Sequence, residues 1–146
     1  MTLSIQEISD RIEIQELITR YTYALDKRDW DTWESLFVPD AQIDYTETGA
    51  IAGSVKEVRE WLEKTMPIFR TYQHMVASIL IDFDADGDAA SVRTMCHNPL
   101  VLDGPADESR IFFCYVWYQD RVVRTTDGWR FASRREELCT FFNQPG

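Results

Sequence analysis

The chain has 146 residues, 45% of them apolar and 27% charged, a balance that suits one folded domain with a substantial core and excludes a disordered or fibrous chain. Its net charge of −10 and pI near 4.6 oppose partnership with nucleic acid or an anionic membrane surface, both of which attract clustered lysine and arginine. No run approaches the roughly 18 apolar residues that a membrane span needs.

Ser4 followed by Glu7 opens a first helix with a capping-box pattern. Ile5, Ile8, Ile12, Leu17, Ile18, Tyr21 and Leu25 then recur at helical spacing to about Leu25. A second, short helix is predicted after Asp29, carrying Trp30, Trp33, Leu36 and Phe37 inward until Pro39 ends it. Ala41 to Tyr45 reads as a short strand. Ser54 and Glu57 form another capping box, opening a third helix that carries Val58, Trp61, Leu62 and Met66 and stops near Pro67.

The period then changes. Tyr72 to Phe83 and Ala89 to Leu102 read as strands joined at Asp86-Gly87, a strong hairpin turn. Gly104-Pro105 with its acidic neighbours, including Asp107-Glu108, is a surface connection. Arg110 to Arg124 and Trp129 to Phe142 are two more strands joined at Asp127-Gly128. Helices first and long antiparallel strands after predict an α+β fold, with no repeat or linker to divide residues 1–146 into two domains.

Several apparent motifs carry no chemistry. Asp82 to Asp88 imitates the start of a calcium loop, but its twelfth position is Arg93 and its flanks are strands. No phosphate loop, dinucleotide fingerprint or nucleophile elbow occurs. Cys96, Cys114 and Cys139 are odd in number, unpaired in spacing and accompanied by only two histidines, so they make no zinc pattern. They read as reduced thiols. The N-terminus also lacks the basic start and apolar run of a secretory signal, and a cytoplasmic setting is expected.

The two histidines, His74 and His97, lie in strands on either side of the Asp86-Gly87 turn. A regular hairpin there pairs residues whose numbers sum to roughly 173 by strand geometry, so both histidines can lie close on one sheet face, within the slip that a bulge would introduce. Asp26, at the end of the first helix, can reach His74 from above. A histidine oriented by a carboxylate is a candidate general base, although each residue also has a plain reading as a hydrogen-bonded core polar. Tyr45 ends the short strand, where it can face a cavity. Phe69, Tyr72, Phe112, Tyr115 and Trp117 supply aromatic surface for an apolar ligand. Trp117 and Tyr118 face opposite ways, so one of them at most reaches any given cavity.

The stretch Tyr23 to Asp31, with Leu36-Phe37, Asp40-Ala41 and later Asp127-Gly128-Trp129-Arg130-Phe131, resembles SnoaL-like proteins of the nuclear transport factor 2-like superfamily. The resemblance runs from about residue 5 to residue 140. It implies a cone-shaped, curved mixed or antiparallel sheet packed against three N-terminal helices, enclosing a cavity used for many chemistries. A narrower resemblance is to the scytalone dehydratases and, more distantly, to the dehydrochlorinases of hexachlorocyclohexane degradation. It implies a His74–Asp26 catalytic dyad, with Tyr45 as one of two water-holding tyrosines and His97 as a second catalytic histidine. Leu25 stands where the other tyrosine is expected, which leaves Tyr21 or Tyr23 to approach from elsewhere on the helix. Phe112 and Cys114 fall at two substrate-contact positions.

The combined reading is a lyase or isomerase without metal or organic cofactor, in which the dyad abstracts a proton from a small hydrophobic cyclic or aromatic substrate. Its expected catalytic residues are His74, Asp26, Tyr45 and His97, and Tyr23, Phe112, Cys114 and Trp117 are expected to contact substrate. The alternative is a non-catalytic binding protein or a structural subunit like the small subunit of ring-hydroxylating dioxygenases. A homodimer or homotrimer is expected, and an independently stable, self-associating chain with an open pocket would count against the structural-subunit role.

Overall fold

A computed structural model describes residues 2–105 and 108–144; the expected surface position of Asp107 lies outside the described residues. Helix α1 (Ile5–Lys27) begins at Ser4, whose side chain accepts the Glu7 N–H at 3.0 Å. The reciprocal half of that capping box does not form, because Glu7 turns instead to Arg11 at 2.8 Å. The buried stripe of α1 runs through Asp10, Ile14, Leu17, Ile18, Tyr21 and Leu25. Ile5, Ile8 and Ile12, expected on that stripe, are 88%, 45% and 61% exposed, since in these turns it is Asp10 that faces the sheet, bonded to Arg124 and Trp129. Arg28 ends the helix in the left-handed region at φ 57°, which turns the chain back at once.

Asp29 caps α2 (Trp30–Ser35), which buries Trp33. Strand β1 (Phe37–Asp44) starts earlier than expected. Leu36 accepts the Phe131 N–H at 2.9 Å and draws the following residues alongside the last strand. Pro39, which has no N–H to contribute, falls in the register interruption between Phe37 and Gln42. After β2 (Ala52–Ser54), α3 (Val55–Thr65) opens on Ser54 and Glu57 with both halves of the capping box present.

The expected Tyr72–Phe83 strand is divided into β3 (Phe69–Tyr72) and β4 (Met75–Phe83), interrupted at Gln73 and His74. Strands β5 (Ala89–Asp103), β6 (Ser109–Thr125) and β7 (Gly128–Phe142) follow the expected hairpins. The sheet runs in the order β2-β1-β7-β6-β5-β3, with β4 also on the β5 edge. All pairings are antiparallel except β1 with β7, so the sheet is mixed.

The α+β class and the three helices agree with expectation, but the cone does not. Among the described residues, strand β2 is bonded only to β1, while β3 and β4 are bonded only to β5, and no ladder joins these two ends. The sheet is open. Its core is closed by α1, α2 and α3 lying on one face, with Ile14, Ile18, Tyr21, Trp33, Val58, Tyr118 and Phe131 almost wholly buried between the layers.

Candidate active site

Asp26 lies in the last turn of α1, where the helix dipole disfavours a carboxylate unless donors meet it. Two donors do. The His74 backbone N–H lies 3.0 Å from Asp26 Oδ2, and the His74 ring Nδ1 lies 2.6 Å from Oδ1. The interruption between β3 and β4 explains the first contact, because it releases the His74 N–H from the sheet ladder. The His74 side chain is only 5% exposed and that of Asp26 21%, so the pair is a buried contact with its acidic side nearer solvent.

The same corner is fastened by Tyr72 and Arg28. The Tyr72 hydroxyl donates to the Leu25 carbonyl at 3.1 Å, and Arg28 donates to the Phe69 carbonyl at 2.8 Å. These bonds tie the end of α1 to β3 and fix the distance from Asp26 to His74.

The other ring nitrogen, Nε2, meets Asn98. The carbonyl oxygens of Gln73 and Pro99 stand 3.2 and 3.3 Å from the Asn98 amide and can only accept, so its NH2 faces them and its oxygen lies 3.0 Å from Nε2. In this arrangement both ring nitrogens donate, one to a carboxylate and one to an amide oxygen.

His74 and Asn98 line a cavity of about 260 Å³ under α1 and α3, with Tyr21, Tyr45, Phe69, Phe112, Cys114 and Glu136 among its other walls. That volume is near the small end for ligand sites and fits a compact molecule. The Tyr21 and Tyr45 hydroxyls are 2.5 Å apart. Burial raises the pKa of both phenols, so both stay neutral. One proton lies between them and the second is free to donate. Beneath Tyr21, the Arg134 guanidinium stacks at 3.8 Å from the ring centroid and forms a two-pronged ion pair with Asp120, at 2.8 and 2.6 Å. The Cys114 thiol is pushed up by burial and is not available as a thiolate nucleophile.

Three expected site residues lie elsewhere. His97 is on the outer sheet face, stacked on Tyr115 at 4.4 Å. Strand β5 alternates without interruption and keeps His97 outward, and a bulge in β4 between Ala77 and Leu80 changes its match to His74: partner numbers sum to 173 beside the turn and 172 beyond it. A register continued at 173 would set His97 on the face of His74; the one-residue shift substitutes Asn98. Trp117 also faces outward, beneath the Arg93 guanidinium at 4.1 Å, while Tyr118 takes the inner position. Tyr23 is 67% exposed on the far side of α1, and Tyr21 is the helix tyrosine that meets Tyr45.

Asn98, Glu136 and the Arg134–Asp120 pair were not predicted. Inward alternation along β5 and β7 could have revealed the first two, given the register. Among the described residues no cluster of three or more His, Cys, Asp or Glu side chains is arranged to hold a metal, and no helix is long and apolar enough to cross a membrane.

Residues 6–135 match the SnoaL-like domain family. The chain is 43% identical over 137 residues to the uncharacterized protein Rv2910c of Mycobacterium tuberculosis, covering 94% of this chain and 90% of that one. Similar solved structures include a protein of Novosphingobium aromaticivorans assigned as a scytalone dehydratase (TM-score 0.81, 22% identity, 95% and 90% of the two chains). Another is the hexachlorocyclohexane dehydrochlorinase LinA-type3 of Novosphingobium barchaimii (TM-score 0.79, 16% identity, 95% and 92%). At such identities the structural likeness is one of fold. The family match spans both the dyad and most of the sheet, and the chain belongs to the SnoaL-like domain family.

Proposed function

We propose that this protein is a lyase or isomerase in which His74 abstracts a proton from carbon in a small, largely apolar cyclic substrate. The observation that carries the reading is the 2.6 Å contact between Asp26 and His74 Nδ1 beside an apolar cavity. In the base form Nε2 carries no proton and parts from the Asn98 amide 3.0 Å away to meet substrate, while Asp26 holds the Nδ1 proton. Once Nε2 takes the substrate proton, Asp26 and Asn98 both stabilise the imidazolium. A carbonyl beside the reacting carbon acidifies that proton, and the free phenol proton of the Tyr21–Tyr45 pair can meet the enolate oxygen as its charge develops. A positioned base of this kind is worth about 100- to 10,000-fold. The step needs only proton transfer. The names of two structural neighbours, a dehydratase and a dehydrochlorinase, both denote eliminations, which supports the same class.

The test is a panel of one- and two-ring ketones carrying a leaving group β to the carbonyl, followed by mass spectrometry and ultraviolet absorbance. Wild-type protein should form the unsaturated ketone, and His74→Ala should lose that activity. Binding without turnover by either protein would instead favour a non-catalytic ligand carrier.

The proposal extends to assembly and setting. Met75, Leu80, Met95, Ile111 and Phe142 are each 38% or more exposed on the outer sheet face, apolar surface of the kind that partners cover. A homodimer or homotrimer is the expected state, and a monomer by light scattering would refute it. The three free cysteines fit a reducing cytoplasm.

A further inference from the structure

Glu136 of β7 is the only carboxyl group among the described residues that line the His74 cavity. Its neighbour Glu137 points the other way, to Arg93 at 3.1 Å, as strand alternation requires. Glu136 has no cationic partner among the described ion pairs, and the nearby Arg134 is committed to Asp120. A single hydrogen bond places it: the Thr48 hydroxyl lies 2.6 Å from Oε2. Oε1 has no hydrogen-bond partner among the described residues and is left to whatever occupies the cavity.

An unpaired carboxylate in an apolar cavity is costly, and such a group keeps its proton instead. Burial accordingly pushes Glu136 up to about 7. The groups facing it reinforce or fail to oppose this. From α1 comes Tyr21, from β1 and the turn after it Asp44 and Tyr45, and from β5 and β6 Cys96, Cys114 and Tyr118. None of these is a cation, and Arg134 on its own strand is the one positive charge that lowers it.

We propose that Glu136 is the general acid of this site, protonating a hydroxyl leaving group, so that the substrate is a compact cyclic β-hydroxy ketone and the reaction is loss of water. The inference rests on His74 acting as the base. His74 Nε2 takes the proton from the carbon next to the carbonyl, that C–H electron pair passes into the enolate, and its collapse forms the new C=C bond. The C–O bond breaks, its electrons leave with oxygen, and the Glu136 proton completes a water molecule. The proton on His74 then passes to Glu136, directly or by exchange through solvent, restoring both groups. A halide departs without a proton and would make no use of Glu136.

The test compares matched cyclic β-hydroxy and β-chloro ketones, and exchange of the α-proton in deuterium oxide, for wild type, Glu136→Gln and Thr48→Val. Glu136→Gln should lower water elimination about 100- to 10,000-fold, while chloride elimination and α-exchange change less than about threefold. Thr48→Val should lower water elimination by a smaller factor. Equal loss of both eliminations, or loss of neither, overturns the assignment. Absence of α-exchange by wild type instead sinks the His74 base on which the assignment depends. A readout independent of substrate is the carboxyl carbon-13 resonance of Glu136: it should be protonated at pH 6, and an ionised carboxylate there overturns the proposal.

Discussion

The Asp26 carboxylate holds His74 at two points, the ring Nδ1 at 2.6 Å and the backbone N–H at 3.0 Å. One side chain thus fixes both the ring's tautomer and the position of the chain that carries it. A carboxylate at a helix C-terminus is disfavoured in isolation, and the two donors offset that cost.

Asp26→Asn keeps an oxygen for the backbone N–H but removes the charge that stabilises the imidazolium. The fold should persist, with an unchanged circular dichroism spectrum. Turnover should fall by about 100- to 10,000-fold, the range lost when an orienting aspartate is neutralised. Steady-state kinetics with any substrate from the ketone panel checks this.

Asn98→Leu should destabilise the protein by about 1–3 kcal/mol, because the carbonyls of Gln73 and Pro99 and the ring Nε2 would lose their partner in a buried place. Urea unfolding gives the value. The same change removes the acceptor that holds the transferred proton, so activity should fall with it.

Glu136→Gln should stabilise the protein above about pH 7. The folded carboxyl titrates near 7 against 4.5 for the free side chain. Between those values the folded state holds the extra proton, so wild-type stability declines as pH rises through that window and stays lower beyond it. Removing the titration should flatten that slope in melting curves taken from pH 4 to pH 9.

Much of this was legible beforehand, and the failures within the sheet trace to strand register. The helices, the hairpin turns and the His74–Asp26 pairing could be read from capping residues, Asp-Gly turns and the resemblance of two local segments. His97 and Trp117 depended on which face of a strand each occupies. A bulge at Ala77 to Leu80, where Ser78 adopts φ 51°, brought His74 to the face of Asn98 while β5 alternates unbroken and keeps His97 outward, and no residue there announces a bulge. Glu136 beside Glu137 looks like a solvated pair until the register buries one of them. The closed cone followed from resemblance alone, and strand pairing does not support it.

Asp120→Asn should cost about 3–5 kcal/mol, since it leaves Arg134 charged and unpaired between Tyr21, Tyr118 and Phe131. Replacing both partners, Asp120→Leu with Arg134→Met, should recover most of that loss. Chemical denaturation of the two variants distinguishes a broken pair from a lost one.

The most direct measurement is deuterium uptake at the carbon beside the carbonyl of a cyclic β-hydroxy ketone, followed by proton NMR in deuterium oxide. Wild-type protein should catalyse the exchange and His74→Ala should reduce it at least 100-fold, the lower end for a general base. Exchange that proceeds equally well without the His74 imidazole would contradict the account.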